Sequence, residues 1–187
     1  LGMARALRGR GRHLVTSAIE HPAVARPLAQ LADDGWDVTV LDVDAHGRVS
    51  PADLAAALRD DTVLVSIMHA NNEVGTLQPI AELAAIVHAR GALFHTDAAQ
   101  SVGKVPVDVA ALGVDLLTLA GHKFYAPKGV GALFVRAGTP IAPIQFGAGH
   151  EGGLRPGTEN VPHLVGLGAA AVLAKQRLPT IGDRLRR

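Results

Sequence analysis

The 187-residue chain is nearly half apolar and has a formal net charge of +1, which excludes a disordered charged tail and gives no electrostatic case for nucleic-acid binding. Its apolar runs are too short to span a bilayer and no signal-peptide pattern opens it, so a soluble, cytoplasmic protein is expected. Cysteine is absent, which removes disulfides, thiolate zinc sites and a cysteine nucleophile from these residues.

In chain order, "LGMARALRGRGR" reads as a helix already under way that ends near Gly9 and Gly11. His13–Ile19 is a buried-strand pattern. In the next segment Val24, Leu28 and Leu31 share a helical face, and Gly35 stops the helix. Asp37–Val43 forms the next strand. Ser50, Pro51 and Asp53 supply an N-cap, an N1 proline and an acidic N3 for a helix through Leu54 and Leu58. Thr62–Met68 is a continuous apolar run, as expected of a strand buried on both faces. Pro79 starts a helix in which Ile80, Leu83, Ala84 and Val87 face one way, and Gly91 ends it. Ala92–Thr96, Asp115–Ala120 and Gly131–Arg136 are further strands, and residues from about Asn160 to Arg177 form a long helix.

Strands separated by helices predict an α/β fold with an open, mostly parallel sheet flanked by helices. No internal repeat or linker divides the chain. Scarce aromatics and abundant Ala, Val, Leu and Gly suit helices packed closely on such a sheet. With no initiator methionine before Leu1 and a charged "GDRLRR" at the other end, the expectation is a segment of a longer protein.

Ligands of parallel sheets bind at the carboxyl ends of strands. There the chain places Glu20 and His21, then His69, Asn71, Asn72 and Glu73, then Asp97 and Gln100, then His122 and Lys123. A lysine in the Gly- and Pro-punctuated loop after Ala120 is either a solvated charge or a desolvated amine suited to carbonyl chemistry. Pyridoxal phosphate needs this set of groups. Lys123 would hold its aldehyde as a Schiff base and Asp97 would keep its pyridine nitrogen protonated. Asn72 or Gln100 would donate to its phenolic oxygen, His21 would stack on the ring and His122 would reach the phosphate.

Each residue also has a purely structural reading. Asp97 can cap a helix after its strand, His21 can start one, and Asn71–Asn72 can form an ordinary turn. His95 is expected to pack in the interior with its ring satisfied. "HTD" at 95–97 offers His-x-Asp to a metal, but no second ligand cluster and no HExxH motif accompany it, so no metal is expected. "KGVGA" at 128–132 has neither a complete GxGxxG nor a Walker lysine. In "RPGTEN" at 155–160, Thr158 or Asn160 stands where a helix begins, either as an anion contact or as its cap.

The blocks "EHPAV" (20–24), "SIMHANNEVGTLQPI" (66–80), "HTDAAQSVGK" (95–104), "DLLTLAGHKFYAPKGVGALFVR" (115–136) and "GHEGGLRPGTEN" (149–160) together resemble the cysteine desulfurases. These are class V aminotransferase-type pyridoxal-phosphate enzymes of iron–sulfur cluster and thio-cofactor synthesis. The resemblance implies the large domain of a fold-type I enzyme, incomplete at its N-terminus and without the C-terminal small domain. It implies removal of sulfur from L-cysteine, giving L-alanine and an enzyme persulfide that is passed to a sulfur-acceptor protein such as a cluster scaffold.

By motif, Lys123 resembles the Schiff-base lysine, Asp97 the ring-nitrogen partner and His21 the stacking imidazole that helps in proton transfer. Gln100 and Asn72 resemble ligands near the phenolic oxygen and substrate, and His122 a phosphate ligand. Thr158 resembles the residue that reaches the phosphate of the other subunit, which implies a homodimer. The chain departs from the pattern at Ala120, where many members carry a phosphate-binding serine, so Thr118 or backbone groups would have to compensate. The glycine/threonine phosphate loop is expected upstream of Leu1, and the persulfide cysteine and substrate-binding arginine in later segments. Same-fold alternatives are a selenocysteine lyase or a kynureninase-like enzyme; a truncated non-catalytic scaffold is the alternative outside enzymes.

Overall fold

Alternation of apolar residues along each strand builds the molecule. The computed structural model describes residues 1–185. A six-stranded sheet runs in the order β2-β1-β3-β4-β5-β6, with β1 His13–Ser17, β2 Asp37–Leu41, β3 Thr62–Ser66, β4 Leu93–Asp97, β5 Leu116–Ala120 and β6 Gly131–Val135. Strands β1 to β5 pair in parallel and β6 pairs antiparallel with β5. The helices are α1 Gly2–Leu7, α2 Pro22–Asp33, α3 Pro51–Ala57, α4 Ile80–His88, α5 Val109–Leu112 and α6 Val161–Leu185.

Successive side chains on a strand point to opposite faces. Leu14, Leu64 and Leu116 accordingly join Met3, Leu7, Leu28 and Leu31 in a core against α1 and α2. Their chain neighbours Val15, Val65 and Leu117 join Leu54, Leu83 and Val87 in a second core against α3 and α4. Both faces of the central strands are thus dry, which matches the unbroken apolar run of β3.

The local signals act as expected at most helix ends. The Ser50 hydroxyl accepts from Asp53 N–H at 3.2 Å at the start of α3, and Gly35 after α2 adopts φ +85°. Asn160, not Thr158, caps α6: its Oδ1 accepts from His163 N–H at 3.3 Å. Helix α6 runs to Leu185, past the boundary expected near Arg177, and carries Pro179 within it. Strands β1 and β3 are two residues shorter than their apolar runs. The chain still donates from Ala18 N–H to Leu41 and from Ile67 and His69 N–H to His95 and Asp97, so the ladder persists one-sidedly past the strands.

Two histidines lie within the sheet. His13 bridges Thr62 Oγ1 (2.7 Å) and Thr39 Oγ1 (2.8 Å), and His95 bridges Ser66 Oγ and Thr118 Oγ1, each at 2.8 Å. His95 therefore packs inside with both ring nitrogens satisfied, as its alternation with Thr96 predicts. Burial pushes it down to about 4, which keeps the ring neutral. No helix among the described residues is long and apolar enough to cross a membrane.

Phe94 is completely buried at the centre of the larger core. Its replacement by Ala is expected to cost about 3–5 kcal/mol, read as a lower midpoint in urea unfolding.

Candidate functional site at the strand ends

The site begins with topology. From β1 the chain steps out to β2, then returns to the other side of β1 to form β3. Because β1, β3, β4 and β5 are adjacent and parallel, their carboxyl ends lie on one edge. Crevices at such reversals are where open α/β sheets bind ligands. Asp97 is the last residue of β4, and the segments after these strands carry His21, Asn72, Gln100, His122 and Lys123.

Each exit is shaped by local bonds. His21 is the N-cap of α2, and its Nδ1 accepts from Ala23 N–H at 3.1 Å. That bond requires an unprotonated Nδ1, so the neutral ring carries its proton on Nε2. The two asparagines divide their tasks. Asn71 is buried, accepts from Glu73 and Val74 N–H, and donates to Ile19 C=O at 3.0 Å, tying the β3 exit to that of β1. Asn72 is exposed beside it. Asp97 is buried, and its Oδ1 accepts from Ala99 N–H at 2.9 Å in a turn instead of capping an α-helix. Gln100 is half-buried on that turn, where its Oε1 and carbonyl accept from Lys104 Nζ.

Lys123 and His122 belong to a one-turn 3₁₀ helix, Gly121–Phe124, in the connection between β5 and β6. Gly121 N–H donates to Val130 C=O at 3.0 Å, and Ala126 N–H donates to Gly121 C=O at 3.0 Å, which closes the connection. Gly121 is obligatory, because a Cβ would lie 2.7 Å from Val130 O and 2.9 Å from Leu167 Cδ1 of α6. Tyr125 ends the turn with φ +71°, a left-handed conformation uncommon outside glycine. The Lys123 side chain is exposed, so this chain does not by itself desolvate the amine.

Ala120 has no hydroxyl, and the one on Thr118 is already committed to His95. Thr158 is exposed in the loop before α6 and is not part of the strand-end rim.

The rim also contains groups to which sequence reasoning gave no role. Glu20 Oε1 accepts from Ser17 Oγ–H (2.7 Å) and Met68 N–H (2.8 Å), while Oε2 is buried without a partner among the described residues. Burial, followed by the charge of Asp97, pushes the carboxyl up to about 7, while its two hydrogen bonds pull the other way. Among the described residues His69 Nδ1 and Ser101 Oγ are likewise buried without partners, and burial lowers the affinity of His69 for a proton. A carboxylate directly after a buried strand with no cation nearby in sequence was the available signal for Glu20.

The linkage sign for Glu20 is definite. A carboxyl raised from 4.5 to about 7 holds its proton in the folded state where the unfolded chain has released it. Its contribution to stability is complete below the unfolded value and is lost as pH rises through the folded one. In Glu20→Gln the two accepted bonds can persist and the titration disappears. The stability of the variant relative to the parent is expected to rise from pH 4.5 to about 7 and then level off, by up to about 3 kcal/mol. Urea unfolding across that range measures it, and a pH-independent difference contradicts it.

The aminotransferase class V family profile matches residues 1–182. A cysteine desulfurase IscS of Dictyoglomus turgidum is 53% identical over 173 residues, covering 92% of this chain and 44% of the relative. Among solved structures, a NifS-like protein aligns with TM-score 0.92 and 42% identity over 95% of this chain and 49% of its own. SspA in complex with cysteine aligns with TM-score 0.87 and 43% identity, over 91% and 50%. The chain thus spans about half the length of the relatives it matches. With the profile covering all but its last few residues, and the parallel sheet and strand-end groups in place, the chain belongs to the aminotransferase class V family.

Proposed function

We propose that this chain is the pyridoxal-phosphate-binding part of a cysteine desulfurase. The observation that carries the reading is the delivery of Lys123, Asp97, Gln100, Asn72 and His21 to one edge by adjacent parallel strands. Family membership supports it, because class V cysteine desulfurases depend on pyridoxal phosphate. The named relatives favour L-cysteine over selenocysteine or kynurenine as substrate.

The donor set fits the cofactor. Asp97 is buried with only Oδ1 engaged by the chain among the described residues, which leaves Oδ2 for a protonated ring nitrogen. Two more buried polar atoms, on His69 and Ser101, have no hydrogen-bond partner among the described residues. When bound, pyridoxal phosphate supplies an aldehyde for covalent capture of amines and a ring that accepts charge from the substrate α-carbon.

Lys123 would hold the aldehyde through Nζ and, once released, take and return the substrate α-proton at that atom. Asp97 would hold the proton at the ring nitrogen. Gln100 and Asn72 would donate at the phenolic oxygen and to substrate. His21, fixed by its cap bond, would lie on the ring and carry a proton at Nε2. His122 would contact the phosphate, and Thr158 that of a second subunit in a homodimer. With no hydroxyl at position 120 and that of Thr118 hydrogen-bonded to His95, this anion contact would rest mainly on His122, Thr158 and backbone N–H groups.

Sulfur leaves the substrate by transfer to a thiol, and this chain has none. In the proposed reading the accepting cysteine and the sulfur-acceptor protein lie outside these residues. The full-length protein is expected to release alanine from L-cysteine, and sulfide when a reductant is present. The 187-residue chain alone is expected to release neither. Lys123→Ala should abolish the visible absorbance of lysine-linked cofactor; a band that persists in this variant would sink the assignment.

A further inference from the structure

Lys104 is half-buried, and its Nζ donates to Gln100 O at 3.0 Å and to Gln100 Oε1 at 3.1 Å. An ammonium has three donors and no acceptor. The atom of the Gln100 side chain that faces Lys104 must therefore be the amide oxygen, which turns the NH₂ outward. Amide orientation is otherwise set by whatever lies nearby; here one side chain four residues along decides it.

The position of Lys104 is itself constrained. Ala98–Val105 winds through successive tight turns closed by Ser101 and Val102 N–H to Ala98 C=O, and by Lys104 and Val105 N–H to Ser101 C=O. Gly103 adopts φ +77° and lies so close to the Lys123 turn that a Cβ would be 3.0 Å from Phe124 Cβ and 3.3 Å from Ala174 Cβ of α6. The turn bearing Lys104 is thus pressed against the turn bearing Lys123. Burial, and then the charge of Lys123, lower the affinity of Lys104 for its proton.

We propose that Lys104 is a positioning residue that locks the Gln100 amide with its NH₂ toward the phenolic oxygen of the cofactor. This rests on the cofactor reading above. Without the lock the amide can reverse and present its oxygen to an anionic phenolate, which replaces an attractive contact by a repulsive one. A donor at that oxygen stabilises the deprotonated phenol and lowers the proton affinity of the lysine-linked chromophore; loss of the donor raises it.

The test uses the full-length protein loaded with pyridoxal phosphate and reads two quantities, the pH midpoint of the visible band and the dissociation constant of the cofactor. Lys104→Met is expected to raise the midpoint by about one pH unit, a tenfold change in proton affinity, and to weaken cofactor binding. Lys104→Arg, which keeps the donors, should restore most of both. Removing the cation would by itself also raise the midpoint, so the cycle with Gln100→Ala decides between the causes. If Lys104 acts through Gln100, Lys104→Met shifts the midpoint much less in the Gln100→Ala background than in the parent, leaving only the contribution of the lost charge. An equal shift in both backgrounds, or no shift in the parent, overturns the proposal. Lys104→Ala removes the same donors and serves where the Met variant folds poorly. Failure of the parent protein to form a band that depends on Lys123 would instead overturn the cofactor reading.

Discussion

Burial of the central strands on both faces is the constraint on which the rest of the structure depends. A strand dry on both sides must have all its backbone groups paired with neighbours, and parallel pairing aligns the strands head to head. With β1, β3, β4 and β5 so aligned, four chain exits meet along one edge. The antiparallel β6 then requires a short return from β5, and that return holds Lys123 in a closed turn instead of a crossover helix.

The polar interior is organised by the same sheet. His13 and His95 each lie between hydroxyls of two neighbouring strands. Buried imidazoles are costly unless satisfied, and these are satisfied at both ring nitrogens. At the rim the balance differs. Asn71 and Glu20 clasp the β1 and β3 exits together, yet Glu20, His69 and Ser101 each keep one buried polar atom unpaired. Among the described residues three of the four buried polar atoms without a partner lie at this rim, the fourth being His163 Nδ1 in α6, and buried groups left unpaired are the physical mark of a place that receives a ligand.

The clasp at β1/β3 and the proposed lock at Gln100 do similar work. Each uses a side chain with no assigned chemistry to hold one that has it. Such supporting bonds set the geometry of a site as much as the groups that touch the ligand. Ala120, by contrast, offers no hydroxyl at the β5 exit, and the hydroxyl of Thr118 on the same strand bonds His95.

Much of the fold was legible from the residues alone. Apolar runs, caps and glycine stops located every strand and the main helices, because those signals depend on neighbours in sequence. The identities of the rim residues were legible for the same reason: each follows an apolar run. Other features required the tertiary structure. Glu20 shows as a buried, half-unpaired carboxyl only once Met68, Ser17 and Asp97 surround it. The Thr118 hydroxyl shows as a partner of His95 only once β4 and β5 lie side by side. Asn71 separates from Asn72 only through its bond to Ile19, across a gap of 52 residues. The antiparallel direction of β6 and the extension of α6 past Arg177 likewise emerged only in the structure. The sequence by itself determined which groups stand at the strand ends, and tertiary structure decided which of them are free, because hydrogen-bond partners and burial come from residues far apart in the chain.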